Sequence, residues 1–453
     1  MINTTLADIA DAVNGELPFG GGDLVVTAGV STDTRSLQGG EFFVALRGDR
    51  FDGHDFLVQA MDAGAIGALA DSTDGAAGRA GLIVVPDTLL GLQRLAYWWR
   101  TELGIPVVGL TGSNGKTSTK DFTRSVLSQR FKVCATQGNL NNHIGVPLSV
   151  LSLTEEDEIG IFEMGMNHSG EIAPLCEIAR PHLGIITNIG SAHIENLGSR
   201  DAIAEEKGAL ARCLPEIGSL IVPASCSYLE YFRERTKANV VAVGNGRGEV
   251  RAEEIDTSGD GVKFILVFEE GGRVPVKLSV AGRHMVTNAL LAAAAGRRLG
   301  LSIEEVARGL AEAELTSGRL RAFEANGMVV LDDTYNANPE SMRAGIDTLL
   351  DRSLGEGGRR FAVLGMMAEI GETAPQEHLS IGQYAAEREV KVVSVGPEAK
   401  LISEGAGDGC HFDTHAEAAE WLKQELKAGD AALFKGSRMA AVEQVMKLIF
   451  PQN

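Results

Sequence analysis

The chain is short of cysteine, of basic residues and of long apolar runs, and each shortage removes a class of protein. Five cysteines, Cys134, Cys176, Cys213, Cys226 and Cys410, are scattered over 453 residues. They are odd in number and form no C-x-x-C pair, which speaks for buried thiols in a reducing compartment rather than disulfides or zinc. Lys plus Arg number 41 against 61 Asp plus Glu, a formal net charge of −20. Such a chain repels nucleic acid and anionic membranes, so neither is an expected partner. Any phosphate ligand must then be held by local devices: backbone N–H groups, single basic residues and a divalent metal. The longest apolar stretch, near Leu290 to Ala295, is far too short to insert across a membrane. Met1 to Asp8 carries neither a basic segment nor a long apolar core, so no secretory signal is read there and a cytoplasmic location is expected. Short-period repeats and low-complexity tracts are also lacking.

What is present suits a soluble α/β protein. The chain is 44% hydrophobic and 23% charged, ordinary for globular proteins, and its 453 residues suggest about three domains. Residues 1–101 mix short strands (41–46, 81–85) with helical patterns (56–63, 89–103), a small α/β unit. Residues 102–316 alternate strands (106–110, 159–164, 183–188, 219–222, 240–243) with helices, then give a hairpin (262–268, 274–280) and an Ala-rich helix (285–298). That alternation predicts a mostly parallel, phosphate-loop-type central sheet. Residues 317–453 repeat the pattern with strands at 328–331, 361–364, 390–395 and 432–434 and a closing helix at 442–449, a Rossmann-like unit without the G-x-G-x-x-G fingerprint. The Trp98-Trp99 pair reads as core packing rather than a base-stacking site.

The sharpest chemical signal is Thr111-Gly112-Ser113-Asn114-Gly115-Lys116-Thr117. It follows a buried strand and opens a helix, where glycines let backbone N–H groups curl around phosphate oxygens. Lys116 can reach β/γ-phosphates and the Thr117 hydroxyl can bind Mg²⁺. The strict Walker A spacing fails, because its first glycine would fall at Leu110. Glu163 ends a predicted strand and His193 follows the next. Both are expected at the carboxyl ends of adjacent central strands, where such sheets bind ligands. Alone, each is an ordinary loop residue; with Lys116 and Thr117 they make a Mg²⁺ and phosphate constellation.

These residues resemble a known family. The 111–117 segment looks like the phosphate loop of the Mur ligases and folylpolyglutamate synthetases. Three further blocks resemble the Mur branch that adds D-alanyl-D-alanine: Gly138-Asn139-Leu140-Asn141-Asn142-His143-Ile144-Gly145-Val146-Pro147; Asp332-Asp333-Thr334-Tyr335-Asn336-Ala337-Asn338-Pro339-Glu340-Ser341; and Ser31-Thr32-Asp33-Thr34-Arg35 followed by Phe43 to Leu46 and Asp52-Gly53-His54. The blocks span all three segments. The resemblance implies that Gly112, Ser113, Asn114, Gly115, Lys116 and Thr117 hold ATP phosphates, and that Thr117, Glu163 and His193 form the metal site. It implies that Asn288, Arg319 and Asp333 face the nucleotide and that Lys207 is the lysine family members carbamylate. Lys116, Glu163, His193 and Lys207 are thereby the catalytic set. Ser31, Asp33, Arg35, Arg47 and His54 would cradle a UDP-sugar, with Asn141, Asn142, Asn336 and Asn338 in the substrate loops. Met366 stands where family members usually carry Asp, and the residues after Lys435-Gly436-Ser437-Arg438 match loosely.

The activity so implied is ATP-dependent amide formation in peptidoglycan precursor synthesis, with Mg²⁺. The substrates would be UDP-N-acetylmuramoyl-tripeptide and D-alanyl-D-alanine, joined through an acyl phosphate by a monomer. Residues 1–101 would bind the UDP-sugar and 102–316 ATP, while 317–453 would close on ATP and the incoming dipeptide. Two alternatives stand beside this: another amino-acid-adding or folate-extending ligase of the same superfamily, and a regulatory ATPase with a phosphate loop.

Overall fold

Short apolar strands alternating with amphipathic helices build three separate larger sheets, in a computed structural model that describes residues 2–48, 50–76, 78–259 and 261–451. The first sheet has four parallel strands in the order Val30–Ser31, Phe42–Val44, Gly67–Ala70 and Leu82–Val84. The strand expected at 41–46 is Phe42–Val44, and the Glu41 carboxylate before it holds the turn, accepting from Gln38 N at 2.9 Å and Gly39 N at 2.8 Å. The predicted helix at 56–63 is preceded by a tight turn, Gly53–Phe56, capped by Asp52, and runs over Leu57–Asp62.

Helix Thr88–Leu103 joins this unit to the next. Asp87 caps its start through Leu90 N, and Gly104 ends it in a left-handed conformation at φ +61°. Trp99 is buried as expected, and its indole N–H donates to Leu153 O at 3.0 Å. Leu92, Leu95, Ala96 and Trp99 share one apolar core with Val146, Val150 and Leu153 of the central unit. This helix is thus a main anchor of the first unit on the central one.

The central sheet has nine strands in the order Arg273–Leu278, Val262–Phe268, Val250–Asp256, Asn239–Asn245, Ser219–Pro223, Leu183–Ile186, Val107–Thr111, Ile159–Glu163 and Val133–Ala135. All pairings are parallel except the two made by Val262–Phe268. Val107–Thr111 starts the sheet, the next two strands lie on one side of it, and the chain then crosses to the other. The order reverses there, which opens a crevice at the carboxyl end of that strand. The expectation that Glu163 and His193 sit on adjacent strands is corrected here, because their strands flank Val107–Thr111 on opposite sides.

The last unit is a six-stranded sheet in the order Arg321–Ala325, Met328–Asp333, Ala431–Lys435, Arg360–Leu364, Lys391–Val395 and Cys410–Phe412. The final strand in sequence is inserted between the second and the third, in parallel register, so Asp333 is paired with Lys435. The linker into this unit is tied to the central one by Asp121, buried on helix Lys116–Leu127, which accepts from Thr316 N at 2.9 Å and Thr316 Oγ1 at 2.8 Å. Among the described residues no helix is long and apolar enough to cross a membrane.

Candidate active site

The crevice at the switch point opens into a cleft of ≈ 760 Å³ between the central and last units. Its floor is the phosphate loop. Gly112 has φ +149°, and a Cβ there would lie 1.8 Å from Thr187 Oγ1, so only glycine permits this approach. Gly115 begins helix Lys116–Leu127 at φ +76° with no side-chain cap, leaving the first helical N–H groups open to an anion. The loop is held from behind. Asn114 N donates to Asn188 Oδ1 at 2.9 Å, Thr187 Oγ1 to Asn114 O at 2.6 Å, and Gly190 N to Ser113 Oγ at 2.9 Å. Asn288 lies against Gly115, where a Cβ would meet its Oδ1 at 2.8 Å.

Lys116 donates to Gly112 O at 2.9 Å. Burial pushes its ammonium below the ordinary lysine range, opposed by Glu163 and Glu369 and reinforced by Arg319. Thr117 Oγ1 donates to Glu163 Oε2 at 2.9 Å, and Asn141 Nδ2 to Glu163 Oε1 at 2.9 Å. Among the described residues no three His, Cys, Asp or Glu side chains converge as a metal cage. A hydroxyl beside one carboxylate is nonetheless the sparse protein set that Mg²⁺ takes when phosphate oxygens and water complete its shell. His193 lines the same cleft. It lies in the loop beyond Ile186, at φ +64°, and its Nδ1 is 2.7 Å from Glu369 Oε2 of the last unit.

The opposite wall comes from the last unit. Lys435 Nζ donates to Asp333 Oδ2 at 2.5 Å and to Asn336 O at 3.0 Å, because the two strands end in register at the cleft. Burial raises the Asp333 carboxyl, and Lys435 and then Arg319 pull it back down. The Arg319 guanidinium carbon lies 4.1 Å from the Tyr335 ring centre, and its Nε is buried without a hydrogen-bond partner among the described residues. A buried donor left unpaired in a cleft of open N–H groups is suited to a phosphate oxygen. Asn338 caps helix Pro339–Leu350 and donates Nδ2 to Asn114 Oδ1 at 2.6 Å across the cleft.

Lys207 lies in the middle of helix Arg200–Cys213, with 1% of its surface exposed. Burial holds its amine well below the ordinary value, aided by the charge of Lys116 and opposed by Glu206. Glu206 is occupied by Gly170 N and Ile172 N, each at 2.7 Å, and Glu205 turns away to Arg212 at 2.9 Å. Asn142 does not line the cleft, and its Oδ1 accepts from Gly145 N at 2.8 Å, starting helix Gly145–Leu151.

The residues expected at a UDP-sugar lie apart, at the first sheet. Arg35 forks onto Asp33, and Ser31 Oγ accepts from Asp33 N at 3.1 Å. Arg47 pairs with Asp52 and, at 2.9 Å, with Asp71. His54 Nδ1 lies 2.6 Å from Asp52 Oδ1, and its Nε2 accepts from Asp71 N at 3.1 Å. Asp49, inside this loop, lies outside the described residues.

Four participants carry little or no signal in the sequence: Lys435, Glu369, Glu340 and Asp71. The signals are places within blocks: Glu340 in the stretch from Asp332 to Ser341, and Lys435 at the head of Lys-Gly-Ser-Arg. A second cavity of ≈ 870 Å³, lined by Met366, Met367, Met439 and Ile194, joins the cleft at Ala368 and Glu369. Met366, the departure from the family pattern, faces this apolar space.

Three family models match the chain: Mur ligase family, catalytic domain, over residues 27–90; Mur ligase middle domain over 110–296; and Mur ligase, glutamate ligase domain over 318–438. The chain is similar to the UDP-N-acetylmuramoyl-tripeptide--D-alanyl-D-alanine ligase of Escherichia coli, at 38% identity over 99% of both chains. To the ligase of the same name in Bacillus subtilis it is 36% identical, over 99% of this chain and 98% of the other. Its fold matches the crystal structure of MurF from Acinetobacter baumannii with TM-score 0.92 and 34% identity, each chain covered in full. It also matches MurF from Thermotoga maritima, solved in complex with ADP, with TM-score 0.85, 28% identity and 94% and 98% coverage.

The charges of the cleft have measurable consequences for stability. Lys435→Met leaves Asp333 buried without its partner and is expected to destabilise the fold by ~3 kcal/mol, the order found when one member of a buried pair is removed. Adding Asp333→Asn should restore much of that; denaturant melts in which the double variant is no more stable than the single contradict the pairing. His284, beside Lys435, is held down to about 4 by burial and by that charge, from an ordinary 6.5. The unfolded chain therefore takes up a proton first as pH falls, so stability present above 6.5 is lost between about 6.5 and 4. In His284→Gln the fall in melting temperature across that window should be shallower than in wild type, and equal slopes would contradict it.

Proposed function

The chain belongs to the Mur ligase family, and we infer that it joins D-alanyl-D-alanine to UDP-N-acetylmuramoyl-tripeptide with ATP and Mg²⁺, in peptidoglycan precursor synthesis. It is an ATP-dependent ligase that forms an amide bond. The observation that carries the reading is the uncapped helix at Gly115 facing the orphaned Arg319 donor, within a chain alike end to end to ligases of this name.

A carboxylate and an amine do not condense unaided in water, and ATP supplies the activation by turning the tripeptide's terminal carboxylate into an acyl phosphate. The residues provide position and charge. Backbone N–H groups at 115–117 and the Lys116 ammonium would hold the phosphates, and Arg319 would meet the charge that shifts in transfer. Thr117 and Glu163 would hold Mg²⁺. Asp333, paired with Lys435, would face the nucleotide. Asn141 would orient Glu163, and the second cavity is the room available to the incoming dipeptide. His193, which lines the same cleft and lies beside Glu369, would join Thr117 and Glu163 at the metal. Lys207 would be carbamylated: burial and the charge of Lys116 disfavour its ammonium and so favour the neutral amine that CO₂ needs, and the resulting anion would hold metal-bound water.

On this reading residues 1–101 take the UDP-sugar through Ser31, Asp33, Arg35, Arg47 and His54. Residues 102–316 take ATP, and 317–453 close over it with Asn336 and Asn338. On the same reading the chain acts as a monomer, and in the cytoplasm, where ATP and its five free thiols belong.

The test is ADP release by the purified chain with ATP, Mg²⁺, UDP-tripeptide and D-alanyl-D-alanine, with products weighed by mass spectrometry. Turnover should require both substrates; turnover that ignores the dipeptide would overturn the reading. Lys116→Ala should lower ligation by about 10²-fold or more while the fold persists, as expected when charge stabilisation of the transferring phosphoryl group is removed. Near-normal turnover in that folded variant removes Lys116 from the site. Lys207→Ala should be inactive and partly rescued by added acetate; wild-type activity without acetate would refute carbamylation.

A further inference from the structure

One side chain of the last unit makes three polar contacts with the phosphate-loop unit. Glu340 follows Pro339 in the first turn of helix Pro339–Leu350. Its carboxylate accepts from Ser191 N at 3.1 Å, from Ser191 Oγ at 2.7 Å and from Arg200 Nη2 at 2.9 Å. Ser191 lies in the loop that backs the phosphate loop. Its neighbour Gly190 donates N–H to Ser113 Oγ at 2.9 Å, and a Cβ there would lie 3.3 Å from Ser113 Cβ and 3.4 Å from Glu340 Cδ. Arg200 opens the helix that carries Lys207. Two residues before Glu340, Asn338 donates to Asn114 Oδ1 at 2.6 Å. A single turn of helix therefore touches the phosphate loop, the loop behind it and the start of the Lys207 helix.

We propose that Glu340 is a positioning residue that registers closure of the last unit on the phosphate loop, acting through Ser191 and Arg200 rather than on reacting atoms. The proposal rests on the ligase reading above. An acyl phosphate exposed to water hydrolyses, so each turnover depends on how completely the cleft is closed while the intermediate exists. The Arg200–Glu340 pair alone would add little, with side chains 53% and 34% exposed. The same carboxylate also accepts a backbone N–H and a hydroxyl, charge-assisted bonds that fix distance and direction and not only attraction. Closing the cleft and seating the loop then become one event.

A carboxylate in a first helical turn also stabilises that helix wherever it sits. The test must separate the two roles. Wild type, Glu340→Gln, Arg200→Met, Ser191→Ala and the double variant Glu340→Gln/Arg200→Met are compared as full chains, with ATP, Mg²⁺, UDP-tripeptide and D-alanyl-D-alanine. The readouts are phosphate released per ligated product, kcat, KM for ATP and melting temperature. Wild type should release one phosphate per product. Each single variant should raise that ratio roughly threefold or more, with KM for ATP changed less than about twofold, because these side chains are partly exposed and do not bind phosphate. The double variant should leak no more than the worse of its two singles, since both substitutions break the same ion pair. Arg200→Met lies outside the Pro339–Leu350 helix, so its leak cannot come from a weakened helix start. Folded variants that stay coupled overturn the proposal, even if kcat or melting temperature falls. A wild-type chain that releases phosphate without product defeats the ligase reading and this proposal together; a coupled wild type with coupled variants defeats this proposal alone.

Discussion

The open N-terminus of helix Lys116–Leu127 is the feature around which the rest is arranged. No side chain caps it, and Gly115 in the left-handed region turns its first N–H groups into the cleft. Without an anion, such an end is unsatisfied. The strand before it lies where the central sheet reverses its order, so the loop opens at the carboxyl edge with strands on both sides. One neighbouring strand delivers Glu163 to Thr117, and the loop after the other braces Ser113 and Asn114 from behind. The last unit brings Arg319, whose buried Nε lacks a partner among the described residues, to the same cleft.

A chain of net charge −20 gathers its cations for this purpose one at a time. Lys116, Arg319 and Lys435 all line the cleft, and each is set by a different device: a helix start, an aromatic face and a strand register. Mutual repulsion among such groups is offset locally, by Glu163 and Glu369 at Lys116 and by Asp333 at Lys435. Burial, and then the charge of Lys116, hold the Lys207 amine well below its ordinary value.

What can be read from the sequence is local in the sequence. The phosphate loop, its strand and its helix are one continuous stretch, and Glu163 ends a run whose apolar character already implies a buried strand. Trp99 is legible as core for the same reason. The strand Val250–Asp256 is not, because Arg251, Glu253, Glu254 and Asp256 give it a polar face that hides its alternation. Gly67–Ala70 is hidden because it holds no β-branched or aromatic residue, although burial on both faces makes it a strand. Pairings made by topology are illegible altogether. Lys435 and Asp333 are 102 residues apart and meet only because the last strand is inserted into the sheet beside Met328–Asp333. His193 is expected from sequence at a metal beside Glu163; its contact with Glu369 depends on how two units face each other, which no single stretch encodes.

On the proposed function the cleft activates a carboxylate by phosphoryl transfer rather than splitting ATP with water. Labelling the terminal carboxylate of the UDP-tripeptide with ¹⁸O tests it directly. If the carboxylate oxygen attacks phosphorus and the dipeptide amine then displaces phosphate, each phosphate released during ligation carries one oxygen from the tripeptide. Mass spectrometry should therefore find the label in inorganic phosphate in proportion to product formed. Unlabelled phosphate, with all ¹⁸O retained in the peptide, would mean that water attacks ATP and that the cleft is not a ligase site.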